Sequence, residues 1–157
     1  MFLVKDTSLS REERIKQISS DDPPLAALLS IVHFEWTVRR AIIALAKSPN
    51  VEVREKLAKC HGLEKYRQIW QDEVAPKRKK NLNQVIQNWD GLKRAFKLRH
   101  LLVHGVQSCS SDHAIERINW AIDAATDIRN FCLNQGVDID RRLPIRRQAK
   151  KTKSKAN

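Results

Sequence analysis

An all-α fold is the class this sequence predicts, on three observations. Glycine occurs four times and proline five times in 157 residues, too few for a turn-dense sheet protein. Long segments rich in Ala, Leu, Ile, Glu, Lys and Arg carry apolar residues three and four apart, the period of an amphipathic helix. No stretch alternates apolar and polar residues as a half-buried strand would. With 41% apolar content the chain is long enough to bury a core without disulfides or metal. We expect an antiparallel bundle of four to five helices over 23–138, an N-terminal arm with a short helix over 1–22, and a disordered basic tail over 139–157.

Each element has its own signal. Ser10 followed by Glu13 has the form of a capping box, which predicts a short helix through Ile15 and Ile18. Asp22 before Pro23 and Pro24 opens a long helix to about Lys47, with an acceptor at the N-cap and prolines in the first turn. On it, Leu25, Leu28, Leu29, Val32, Trp36 and Ile43 form one stripe, and Ala27, Phe34, Val38, Ile42 and Leu45 cover much of the opposite side. A helix apolar around most of its circumference belongs in the middle of a bundle or at a subunit interface.

A third helix is expected from about Val51 to Cys60, with His61 capping its end and Gly62 marking a sharp bend. Helix resumes from Leu63 to Val74. After the basic turn Pro76 to Lys80, a helix from Asn81 places Val85, Trp89, Leu92, Phe96 and Val103 in one core-facing band at about 100° per residue. Ser110 or Ser111 then caps a last helix with Ile115, Ile118, Ile122, Ala125, Ile128 or Arg129, and Cys132 on its inner face, closed by Gly136.

Charge is unevenly placed. The formal net charge is +12, and eight of the thirty basic residues follow Asp140, the last acid. That leaves twenty-two basic against eighteen acidic residues before it, a net of about +4. The tail residues Arg141, Arg142, Arg146, Arg147, Lys150 and Lys151, and the turn residues Lys77, Arg78, Lys79 and Lys80, are expected to meet the phosphates of a nucleic acid.

Cys60, Cys109 and Cys132 are odd in number, widely spaced and without a C-x-x-C pair, so neither a disulfide framework nor a zinc knuckle is signalled. Cys60 beside His61 lacks a second pair, and no metal or cofactor is expected. No apolar run approaches the roughly 20 residues that span a bilayer, nor does the start of the chain read as a secretory signal. We expect a cytoplasmic protein with no membrane partner.

The functional signal is Phe96-Lys97-Leu98-Arg99-His100-Leu101-Leu102-Val103-His104-Gly105, where an arginine and two histidines interrupt an apolar helix. Arg99 and His100 fall at the borders of the apolar band, with His104 further round on the side of His100. A guanidinium there requires a carboxylate, a cleft or an interface. Glu35, four residues before Arg39 on the long helix, is the partner expected to help hold it. These residue types suit attack on a phosphodiester without metal. A histidine moves protons near neutral pH, an arginine holds the phosphorane oxygens, and in RNA the 2′-OH itself serves as nucleophile. No acidic cluster suggests a two-metal nuclease.

The segment AFKLRHLLVHG, at the end of a late helix in a small all-α chain, resembles the signature of the HEPN-domain superfamily: an arginine, commonly followed by a polar residue, with a histidine a few positions on. Arg99, His100 and His104 match it. The resemblance implies a four-helix core and, with the motif intact, a metal-independent endoribonuclease of the toxin or antiphage type. In that reading Arg99, His104 and His100 are catalytic, and Glu35 and Arg39 support them. It also implies a homodimer with a composite cleft, RNA as partner, and a cognate antitoxin or inhibitor protein. Geometry agrees with two copies, since Arg99 and His104 stand about 140° apart on one helix. Two alternatives stay open: a HEPN-like module that binds nucleotide or nucleic acid without turnover, and a helical DNA-binding protein.

Overall fold

Asp22 turns the chain from one helix into the next. Its carboxylate accepts from the Leu25 N–H at 3.1 Å, closing α1 (Ser8–Asp21) and opening α2 (Pro23–Leu45) on the paired prolines. The computed structural model describes residues 7–105 and 109–148, and among these the only regular structure is helix. The remaining elements are α3 (Asn50–Ala58), α4 (Leu63–Glu73), α5 (Ala75–Arg78), α6 (Leu82–Val85), α7 (Trp89–Val103) and α8 (Ser111–Asn134). The chain is all-α, as expected.

Helix α2 is the centre, touching α1, α3, α4, α7 and α8. Its C-terminal part packs Phe34, Val38, Ile42 and Leu45, each almost wholly buried, against Tyr66 and Trp70 of α4, Leu92 near the start of α7, and Ile128 and Cys132 near the end of α8. Its N-terminal Ala26 and Ala27 meet Ile15 of α1, Leu98 late in α7, and Ala114, Ile118 and Ile122 early in α8. These contacts make α7 run opposite to α2, and α8 run with it. Burying each large apolar side chain contributes about 1.5–3 kcal/mol. The Phe34 and Phe96 rings meet edge to face with centroids 5.7 Å apart, a geometry that adds to plain area burial.

Several expectations are corrected. On α2 the Phe34, Val38 and Ile42 side is the core side, while Leu25 and Val32 of the other stripe are 43% and 45% exposed. Both sides are apolar, so periodicity could not choose between them. Thr7, not Ser10, caps α1, its hydroxyl accepting from the Ser10 N–H at 3.2 Å. That helix is also more than a peripheral arm, because Arg11, Glu12 and Ile15 are buried against α2 and α8.

The helix expected from Asn81 is broken. Asn81 and Gln84 form a reciprocal capping box on the single turn α6, buried Ile86 takes extended backbone, and Asn88 starts α7 afresh by accepting from the Gly91 N–H at 2.9 Å. Val103 is 56% exposed, but Val85 and Leu92 of the expected band are buried and Trp89 and Phe96 pack on the core, joined by buried Ala95 and Leu98. In α8, Ile115 is exposed while Ile118, Ile122, Ala125, Ile128 and Cys132 are buried as expected.

The basic segment after α8 is ordered through Gln148. Ile139 is buried and Leu143 packs on the core. The Arg146 guanidinium donates to the carbonyls of Ile43 at 2.5 Å, Ala44 at 3.0 Å and Ser48 at 2.9 Å, satisfying carbonyls that the end of α2 leaves without helical partners. Asn50 and Arg146 exchange a main-chain bond and an Oδ1 acceptor at 3.1 Å each. The expected disorder therefore does not begin at residue 139; residues 149–157 lie outside the described part.

Candidate active site

The candidate site forms where the α3–α4 turn faces α7. Gly62, with φ +82, makes the bend; a side chain is strained in that backbone region. The turn brings His61 and Lys65 opposite Lys93, Phe96, Lys97, Arg99 and His100, across a cleft of about 440 Å3. Glu64 is the one acid among the described residues of its wall, and the Arg67 side chain engages it at 2.8 Å. Four permanent cations and two imidazoles thus border a cleft with a partly apolar floor, a field suited to a polyanion.

The three motif residues sit at its mouth. Arg99 is half-buried and His100 exposed, both lining the cleft. His104 is the residue on which α7 ends, its N–H donating to the His100 carbonyl at 3.1 Å, and Gly105 follows at φ +63. The two imidazoles pack with centroids 4.4 Å apart. Among the described residues, Arg99, His100 and His104 make no side-chain hydrogen bond or ion pair.

Of the two supporting residues, Arg39 is occupied elsewhere. Arg39 donates from Nε to the Tyr66 hydroxyl at 2.6 Å and from its two Nη atoms to the carbonyls of Leu57 and Cys60, both at 3.0 Å. It ties the end of α3 to α2 and does not support Arg99. Glu35 makes no hydrogen bond or ion pair among the described residues. Its charge acts on the Tyr66 phenol, which burial first and Glu35 second push up to about 12.

His61 caps no helix, since neither the end of α3 nor the start of α4 has a side-chain capping bond from it. Trp70 is fully buried and its indole N–H donates to the Lys80 carbonyl at 2.9 Å, which rules it out as a stacking platform.

The expected phosphate-tracking residues divide. Lys77, Lys79, Lys80, Arg142 and Arg147 are exposed. Arg141 is exposed and pairs with Asp138 at 3.1 Å. Arg78 is half-buried and donates to Gln135 Oε1 at 3.1 Å, and Arg146 is consumed by the end of α2. Lys150 and Lys151 lie outside the described residues.

Sequence reasoning missed Lys65, Lys93, Arg94 and Lys97, because the Arg/His motif points only to the end of α7. A signal was present: no acid occurs between Asp90 and Asp112. It also missed a buried polar cluster. His33, fully buried, accepts at Nδ1 from Arg11 Nε at 3.2 Å and donates from Nε2 to Glu12 Oε1 at 3.0 Å, and Arg129 grips the same carboxylate. Trp36 lies beneath two guanidiniums, Arg11 at 3.7 Å and Arg40 at 4.8 Å from its ring centroid.

No family model, curated protein or solved structure matches the chain. Among the described residues no group of three or more His, Cys, Asp or Glu is placed to hold a metal ion, and no helix is long and apolar enough to cross a membrane.

Proposed function

We propose that this chain is a metal-independent endoribonuclease of the HEPN type. The observation that carries the reading is the convergence of Arg99 and His100 on one cation-lined cleft with the His104 ring packed on His100. The substrate's 2′-OH attacks the adjacent phosphorus as His104 removes its proton or, in the opposite assignment, protonates the departing 5′-oxygen. Arg99 stabilises the charge of the phosphorane, and His100 supports His104 and orients the strand. The products are a 2′,3′-cyclic phosphate and a 5′-OH end.

Among the described residues of one chain no carboxylate bonds to either imidazole, and the two roles fall on one helix end. An isologous homodimer that brings two such ends together supplies the second set of groups. A toxin or antiphage effector, held in check by a cognate antitoxin or inhibitor protein, is the biological setting that goes with this chemistry.

The test is cleavage of RNA by the purified chain in excess EDTA, with the product ends identified. Cutting persists with chelator, leaves cyclic phosphate ends, and is lost in His104→Ala and Arg99→Ala proteins that keep parental helicity. Metal dependence, or an alanine variant that cuts at the parental rate, overturns the reading. Intact RNA together with tight, salt-dependent binding assigns the chain to a non-catalytic binding module instead, and preferential binding of duplex DNA to a helical DNA-binding protein.

A further inference from the structure

On the other side of α7 from the His61 and His100 cleft, a second groove of about 350 Å3 runs between α7 and the first turns of α8. Its walls are Arg94, Lys97, His113 and Arg117, its floor Leu98 and Leu101, and no carboxylate is among its described lining residues. Lys97 borders both grooves, so the two meet across the ridge of a single helix, about 10 Å wide with its side chains.

Arg94 is exposed and makes no ion pair among the described residues. Arg117 is held over Trp120, 4.6 Å from the ring centroid, and is touched by its neighbour Glu116. Its Nε is buried and lacks a hydrogen-bond partner. A buried donor left unsatisfied in a groove wall is costly, and a phosphate oxygen is an acceptor that matches a guanidinium.

We propose that this α7–α8 groove is a second phosphodiester subsite, and that a single RNA strand crosses α7 over Lys97 with phosphates a few nucleotides apart in the two grooves. The identification of the strand as RNA rests on the ribonuclease reading above; the subsite rests on the groove. Two narrow grooves on either side of one helix follow a flexible single strand, whereas a duplex is a stiff rod that does not fold over a ridge of this width. The apolar floor of Leu98 and Leu101 offers base or sugar contact between the cations.

Binding is measured with a fully 2′-O-methylated oligouridine, which has no free 2′-OH and so cannot be cut, over a range of salt. The variants are Arg94→Glu, Arg117→Gln and, as a control of equal charge change, Lys16→Glu on the exposed face of α1. Arg94→Glu lowers affinity at least about tenfold more than Lys16→Glu and flattens the dependence of log K on log salt by about 0.7 for each phosphate that is no longer neutralised. Arg117→Gln acts in the same direction, with helicity by circular dichroism confirming its fold.

Equal losses in Arg94→Glu and Lys16→Glu overturn the subsite, as does duplex DNA displacing the oligouridine. Specific loss in Arg94→Glu from a chain that leaves unmodified RNA intact upholds the subsite while removing the ribonuclease reading.

Discussion

His33 Nε2 donates to the Glu12 carboxylate at 3.0 Å in a site closed to solvent, while its Nδ1 accepts from Arg11. Both bonds are satisfied by a neutral imidazole with its proton on Nε2. Burial holds His33 below its ordinary value of 6.5, with Arg11 and Arg129 adding to that against the opposing pull of Glu12. Burial pushes Glu12 up, but the bonds and charges of His33 and Arg129 outweigh it and the carboxyl titrates below 4.5.

Both shifts have the same sign for stability. A depressed folded pKa means that the unfolded chain binds more protons, so the contribution is complete above the unfolded value and lost as pH falls through the folded one. Unfolding free energy therefore decreases as pH falls, first through His33 from about pH 7 and then through Glu12 from about pH 5 down past its lowered folded value. Urea midpoints across that range check it. In a His33→Gln protein the upper part of the slope flattens; a stability that rose on acidification would contradict the network.

Removing Glu12 alone should cost more than protonating it. Glu12→Ala takes from Arg129 the carboxylate that pairs it and from His33 its acceptor, and breaking one side of a buried pair costs roughly 3–5 kcal/mol. The urea midpoint drops accordingly, while Glu13→Ala, an exposed neighbour, stays near the parent.

Arg146 gives a second stability prediction. Its three carbonyl bonds bind the segment after α8 to the end of α2, and hydrogen bonds from a charged donor outlast solvent competition better than neutral ones. Because the side chain remains partly exposed, we expect Arg146→Ala to lose about 2 kcal/mol, or roughly 4–8 °C in Tm for a chain of this size. Arg147→Ala, one residue on and exposed, moves Tm little. Calorimetry separates the two.

The contrast between Arg146 and Arg147 also shows where sequence reading stops. Local chemistry was legible: Asp22 with its two prolines starts α2, Ser110 caps α8, with its hydroxyl accepting from the His113 N–H at 3.4 Å, and Gly136 closes it at φ +76. Contacts made across the chain were not. Arg146 reaches a carbonyl 103 positions away and looks, in sequence, like any member of a charge run. The Glu12 and Arg129 pairing spans 117 positions, with nothing local to announce it. At the cleft, the motif singles out Arg99 and His100, which line one mouth, but the cations that shape it come partly from Lys65, on an element only the fold brings near.

The start of α7 supplies a prediction that local chemistry does carry. Asn88 Oδ1 accepts from the Gly91 N–H, and a β-carbon built on Gly91 would lie 2.4 Å from Asn88 Nδ2. Asn88→Ala loses the cap, about 1 kcal/mol. Gly91→Ala, which in an open helix position gains up to about 1 kcal/mol, forfeits that gain here because it displaces the cap. Chemical denaturation of the two variants shows both at or below parental stability; a clearly stabilised Gly91→Ala would contradict the capping role.

Arg39 separates holding the fold from serving the chemistry. Its three donors reach the Tyr66 hydroxyl, the Leu57 carbonyl, which also accepts from the Cys60 N–H, and the Cys60 carbonyl. A lysine is a point charge that cannot reproduce the planar fork. Arg39→Ala and Arg39→Lys should therefore both destabilise, the first by about 2–3 kcal/mol and the second by more than half as much, since charge without geometry restores at most one of the bonds. Arg99→Ala, whose side chain makes no bond to the rest of the chain among the described residues, leaves the urea midpoint within about 0.5 kcal/mol of the parent. If Arg39→Lys instead kept full stability, charge and not the fork would be what binds α3 to α2, and the exclusion of Arg39 from the cleft would lose its main support.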